Sequence, residues 1–184
     1  MKRNIYISYI HSDSMNFKFK IMDRFKGRKY KFSDEEITST LRSEEDLLKI
    51  AKKVSHMDVT VVLPSRNTLK SDLAQIEIEY SLSNPYSKST KGLIGVVVPD
   101  KGNDYSYLMK KGPKGIWRAD KSKLPTLISY NINNEVTVEN KNNINYDSFI
   151  SIYRWEDFIN DFNNCVNIAY EKANESLENY KITL

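Results

Sequence analysis

The stretch Asp58-Val-Thr-Val-Val-Leu63, closed by Pro64, is a β-branched run without polar alternation. A strand that reads this way has both faces covered, as strands of a buried parallel sheet do. Pro64 ends it, because proline has no N–H to give to a ladder. Gly92–Val98 (GLIGVVV) repeats the pattern and is ended by Pro99. Between the two, Ser71–Ser83 reads as a helix with Leu69, Leu73, Ile76 and Tyr80 in line. Two doubly buried strands joined through a helix make a parallel crossover unit.

Towards the N-terminus, Asn4–Ile10 alternates and is rich in Ile and Tyr, which predicts another strand. Ser12 or Asp13 is placed to cap a helix carrying Met15, Phe19, Met22 and Phe25, with Gly27 as its stop. Ser33–Glu36 and Ser43–Asp46 both read as capping boxes, the second with Asp where Glu or Gln is usual. After Ser43, Leu47, Ile50, Ala51 and Val54 share one stripe of a helix. Towards the C-terminus, Thr126–Ile132 reads as a weaker strand. Trp155, Phe158, Ile159, Phe162, Val166, Ala169 and Ala173 read as one long amphipathic helix from about residue 155. The alternation predicts an α/β fold, a mainly parallel central sheet between helical layers. The expected organisation is a single domain over 1–184, elaborated at about 100–150. In such sheets ligands bind beyond the carboxyl ends of the strands. That rule singles out the loops Ile10–Ser14, Pro64–Ser71 and Pro99–Tyr105.

Composition narrows the chemistry. The chain has 184 residues with 40% hydrophobic and 28% charged side chains, enough for a sizeable core and a solvated surface. Its single cysteine, Cys165, excludes an intramolecular disulfide and a cysteine metal cage. His11 and His56 are the two histidines, too few for a multi-histidine metal site, and no metal is expected. Lys+Arg 28 against Asp+Glu 24 gives a net charge of +4, too mild to point to nucleic acid. Most of the local excess lies in Lys18–Lys31, read either as a solvated helix end or as a basic rim that attracts phosphate groups. Mean hydropathy is −0.58, and no apolar run approaches the roughly 20 residues of a membrane span. The N-terminal Met1–Ile10 has no apolar signal-peptide core, so a cytoplasmic protein is expected. Sequences of the forms G-x-G-x-x-G, G-x-x-x-x-G-K-[ST], H-E-x-x-H and G-x-S-x-G are absent. That disfavours dinucleotide redox folds of the usual type, P-loop NTPases, zincins and elbow-type serine hydrolases.

The candidate residues carry two readings each. His11 follows the first strand, as a polar loop residue or a substrate contact. Asp13 is a helix cap or a ligand contact. Ser8 is a strand-end hydrogen bonder or a hydrogen-bonding contact to a ligand, Tyr9 a core aromatic or a stacking platform, and Asn67 a turn residue or a hydrogen-bonding contact to a ligand. Glu77 and Glu79 flank the Leu73/Ile76/Tyr80 stripe on opposite sides, and periodicity does not choose between them. Cys165, on an apolar stripe, reads as a small core residue. Trp117, after the turn Gly112–Gly115, reads chiefly as packing.

Several of these segments resemble a known family. Ile7-Ser-Tyr-Ile-His-Ser-Asp13 is similar to the first strand and loop of TIR-type domains. The spacing of Ser8, Tyr9, Asp13, Phe17 and Lys18 resembles the TIR-like subunits of Thoeris bacterial antiphage systems. Val59–Ser65 is similar to that family's third strand, and Leu69, Leu73 and Glu77 follow where the family has an aromatic residue, Trp and Glu. Ile152-Tyr-Arg-Trp155 resembles its late Tyr-x-Trp segment. The likeness covers about residues 4–100 and this late segment. The chain departs from it at Leu73 and over 100–150.

The resemblance implies a flavodoxin-like three-layer sandwich. It implies cleavage of NAD, as substrate rather than cofactor, at the nicotinamide–ribose bond, with an ADP-ribose-derived and in some cases cyclic product serving as a signal in antiviral defence. It implies Glu77 as the catalytic carboxylate, with Ser8, Tyr9, His11, Asp13 and Asn67 around the substrate. It further implies a homo-oligomer on activation and an effector protein addressed through the nucleotide signal, with no nucleic acid or membrane as partner. The basic loop Lys26–Lys31 corresponds to one that governs assembly and site access in TIR domains. The competing expectation is a non-catalytic TIR-like interaction module. A receiver domain is a weaker reading, because Asn4–Ile10 ends in no acid pair. A flavin domain is equally weak, because the loop after that strand is no phosphate loop.

Overall fold

The computed structural model of the chain describes residues 2–27, 29–33, 43–112, 115–132, 148–174 and 179–184. Five parallel strands form the central sheet: β1 (Arg3–Tyr9), β2 (Tyr30–Phe32), β3 (Val59–Leu63), β4 (Gly92–Val97) and, late in the chain, β7 (Ser151–Arg154). Their order is β2-β1-β3-β4-β7. The sheet grows outward in both directions from the β1–β3 pair, where Ser8 lies beside Val62 and Tyr9 beside Leu63. That is the flavodoxin-like order, with its switch point at β1/β3. β2 is a short edge strand between the helix that ends at Phe25 and the helix that begins at Glu44.

Helices cover both faces. On one side α1 (His11–Phe25), α5 (Trp155–Asn160) and α6 (Phe162–Asn174) enclose Ile5, Ile7, Val61 and Val96 with Ile21, Phe25, Phe158, Phe162 and Val166. On the other, α3 (Asp72–Leu82) and α4 (Thr126–Tyr130) enclose Val62 and Leu93 with Ile78, Leu82 and Ile128. There α2 (Glu44–Ser55) adds a smaller cluster of Tyr6, Ile50 and Val54. The strand run 58–63 is buried throughout from Val59 to Leu63, as its lack of alternation requires. Between β4 and β7, a hairpin of β5 (Met109–Lys111) and β6 (Trp117–Ala119) precedes α4.

Several expectations need correction. Thr126–Ile132 is not a strand. Pro125 opens the short helix α4, and its apolar residues are too few for periodicity to have separated the two forms. The long C-terminal helix is two: Asp161, with φ −121° and ψ 32°, interrupts it between α5 and α6. Of the expected face of α1, Met22 and Phe25 are buried but Met15 and Phe19 are not. Ser14, Lys18, Ile21, Met22 and Phe25 face inward, while Phe19 is 41% exposed. Neither Ser12 nor Asp13 caps that helix, since its N-cap is Ile10 and receives no side-chain bond. Ser43 does cap α2, accepting the Asp46 N–H, and Gly27 follows α1 at φ +82°. In α3, Leu73, Ile76 and Tyr80 are half-buried towards α2, Leu69 is exposed, and the innermost residues are Ala74, Glu77, Ile78, Ser81 and Leu82. Residues 34–36 of the first capping sequence and the Asn140–Asn145 cluster lie outside the described residues.

Candidate functional site

Tyr6 and Ser8 stand two residues apart on β1, so both project from the same face, towards α3. The side chain of Glu77 meets them from α3. The Tyr6 hydroxyl donates to Glu77 Oε1, and the Ser8 hydroxyl donates to Oε2 at 2.6 Å. Glu77 is 4% exposed and Ser8 is fully buried. Burial pushes the Glu77 carboxyl above its ordinary range. The hydrogen bonds from Ser8 and Tyr6, and the positive charges of Lys53 and Lys18, pull the other way without overcoming it. The Tyr6 phenol is raised as well, by burial and by the Glu77 charge beside it. Glu79 is exposed on the same helix. Tyr6 and Ser8 thus engage the buried glutamate and not the exposed one, a difference that helical periodicity does not predict.

Ser8 lies near the carboxyl end of β1, next to β3, so this carboxylate lies at the end of the sheet where such folds bind ligands, beside the switch point. The three predicted loops form the rim and are tied to one another. Asn67, after β3, donates its amide to both oxygens of Asp13, after β1, at 3.3 and 3.0 Å. Arg66 reaches Asp100, after β4, at 3.0 Å and lies over the Tyr107 ring. The Tyr107 hydroxyl donates to the carbonyl of Val98 at 2.7 Å beneath both loops. Partial burial alone would raise Asp13. Hydrogen bonds from Ser12, Ser65 and Asn67 outweigh it and hold the carboxyl below the usual range. Lys18 Nζ lies 3.3 Å from the Tyr9 hydroxyl and 4.6 Å from its ring centre. Tyr9 is half-buried on the α1 side, and exposed His11 is its neighbour at 6.5 Å between ring centres.

The predicted residues thus form three pairs at one end of the sheet: Glu77 with Ser8, Asp13 with Asn67, and Tyr9 with His11. Tyr6 and Lys53 escaped the sequence reading, and Lys18 entered it only through the family resemblance and the basic stretch, not as a neighbour of the carboxylate. Strand alternation carries the signal for Tyr6, since it must share a face with Ser8. The two lysines give none, because lysines are rarely buried. Of the basic stretch, Lys18 is buried, while Lys20, Lys26, Lys29 and Lys31 are exposed, and Tyr30–Phe32 is strand rather than loop. His56 is the exposed C-cap of α2. Cys165 is buried, and burial first of all pushes its thiol up to about 12. Trp117 packs edge-on against Tyr105. Among the described residues there is no cluster of His, Cys, Asp and Glu that could hold a metal, and no helix long and apolar enough to cross a membrane.

A family model described as Thoeris protein ThsB, TIR-like domain, matches residues 6–103. The matched stretch runs from Tyr6 through Glu77 and ends before β5, so it contains every residue of the three pairs.

Proposed function

From the premise that this chain belongs to the Thoeris ThsB TIR-like family, we propose that it cleaves NAD at the nicotinamide–ribose bond and releases an ADP-ribose-derived signal in antiphage defence. The observation that carries the reading is the Glu77 carboxylate, fixed by Tyr6 and Ser8 beside the β1/β3 switch point. Nicotinamide leaves as a neutral group from a cationic precursor, so departure needs little acid assistance. The ribosyl centre becomes oxocarbenium-like. A carboxylate held in place by two hydroxyl donors stabilises that charge without reorganising. In this reading Tyr9 and His11 face the rings of the substrate, and Asp13 and Asn67 its hydroxyl groups. The product addresses an effector protein, and activation brings several copies together.

The enclosure of Glu77 favours a second reading, a TIR-like module that signals by assembly without turnover. A carboxylate with both oxygens engaged and 4% exposure serves β1–α3 packing equally well. Purified wild type and Glu77→Gln, incubated with NAD in extract from phage-infected cells, separate the two. The first reading expects loss of labelled nicotinamide that Glu77→Gln slows by about a hundredfold or more. Assembly on activation without NAD loss in either protein would establish the second.

A further inference from the structure

At the opposite end of the sheet, the amino ends of β1 and β2 and the outer face of α6 enclose a pocket of about 470 Å³. That lies within the usual range of small-ligand sites, roughly 300–1,000 Å³. Its wall carries three cations, Lys2, Arg3 and Lys29, against one carboxylate, Asp58, whose Oδ2 is already engaged by the Asn4 N–H at 2.7 Å. The remaining polar groups are arranged to donate. Arg3 lies flat on the Tyr170 ring, 3.7 Å from its centre, and gives its Nε–H to Asn167 Oδ1 at 3.2 Å. The oxygen of Asn163 is taken by the Tyr30 hydroxyl at 2.7 Å. Each asparagine thus holds one bond on its acceptor oxygen and has two amide N–H groups besides, and Arg3 has its terminal fork beyond the Nε–H. A wall in which three cations and the amide donors outnumber the single carboxylate matches an oxyanion. Three cations in one wall match a multiply charged phosphate better than a single carboxylate.

We propose that this pocket binds the phosphate group of a small ligand, at a site separate from that of Glu77. The preset guanidinium is what distinguishes it from scattered surface lysines. Stacking on Tyr170 and the bond to Asn167 fix its plane before any ligand arrives.

Calorimetric titration of the full chain at low ionic strength, with pyrophosphate and separately with ADP, tests the proposal. The expected result is saturable binding of one ligand per chain, weakened at least tenfold by Arg3→Gln or by the surface variant Lys29→Gln, with unchanged circular dichroism. Glu77→Gln leaves it intact. Tighter binding of ADP identifies a nucleotide ligand, and equal binding identifies recognition of phosphate alone. No saturable binding, binding untouched by both variants, or binding lost in Glu77→Gln instead would overturn the proposal.

Discussion

Glu77 owes its unusual state to a contest between burial, which disfavours its charge, and four neighbours that favour it. Burial wins, so the folded chain holds the proton to higher pH than the unfolded chain does. An unfolded glutamate titrates near 4.3. Between that pH and the folded value, the native state binds more protons than the unfolded one, so this group makes stability fall as pH rises. Below the window both states are protonated and the effect vanishes. Glu77→Gln removes the titration while keeping the shape. The variant is therefore expected to melt higher than wild type at pH 8, with the gap closing towards pH 4. Thermal melts of both proteins across that range check it, and a gap independent of pH would contradict it.

The element that decides the layer spacing is α6 on β4. A Cβ added at Gly92 would lie 2.5 Å from the Ala169 carbonyl oxygen, a backbone atom that cannot step aside. One added at Gly95 would meet only the Ile152 Cδ1 end, at 2.4 Å, which a rotamer change can move. Gly92→Ala is therefore expected to cost roughly 1–3 kcal/mol and Gly95→Ala less, read as the difference between their denaturant midpoints. The two central strands and the helix between residues 71 and 83 were legible because Val59–Leu63 and Gly92–Val97 have one state open to them, burial on both faces. Less legible was anything fixed by partners far along the chain. The inward face of α1 contains Ser14 and Lys18, which no apolar stripe predicts. Glu77 is singled out by Tyr6, 71 residues away in sequence. Pro125 and Asp161 reset local structure inside runs whose apolar content reads continuously. The three loops of the candidate site were legible from topology alone. The polar ties that hold them, such as Arg66 to Asp100, were not.

At the scale of the molecule, the last residues return to clamp the segment after α4. Buried Asn131 donates to the carbonyls of Leu127 and Thr183, both at 2.8 Å, and accepts the Thr183 N–H at 2.9 Å. Tyr180 and Ile182 pack into the core beside it. Asn131→Ala leaves these backbone groups unpaired, at a cost of roughly 1–3 kcal/mol. The C-terminal residues are expected to be trimmed faster by a carboxypeptidase than in wild type, followed by mass spectrometry. Equal trimming would show that Tyr180 and Ile182 hold the tail unaided.

The buried thiol of Cys165 also has a practical consequence. It is the chain's sole cysteine, enclosed in the core and with its proton held tightly, so the folded protein presents no competing nucleophile to a maleimide. A cysteine introduced at exposed Glu79, two residues from the candidate carboxylate on the same helix, would accept a fluorophore at one defined place. The native background is already silent, and changes around α3 could be followed by light without first stripping the chain of its own sulfur.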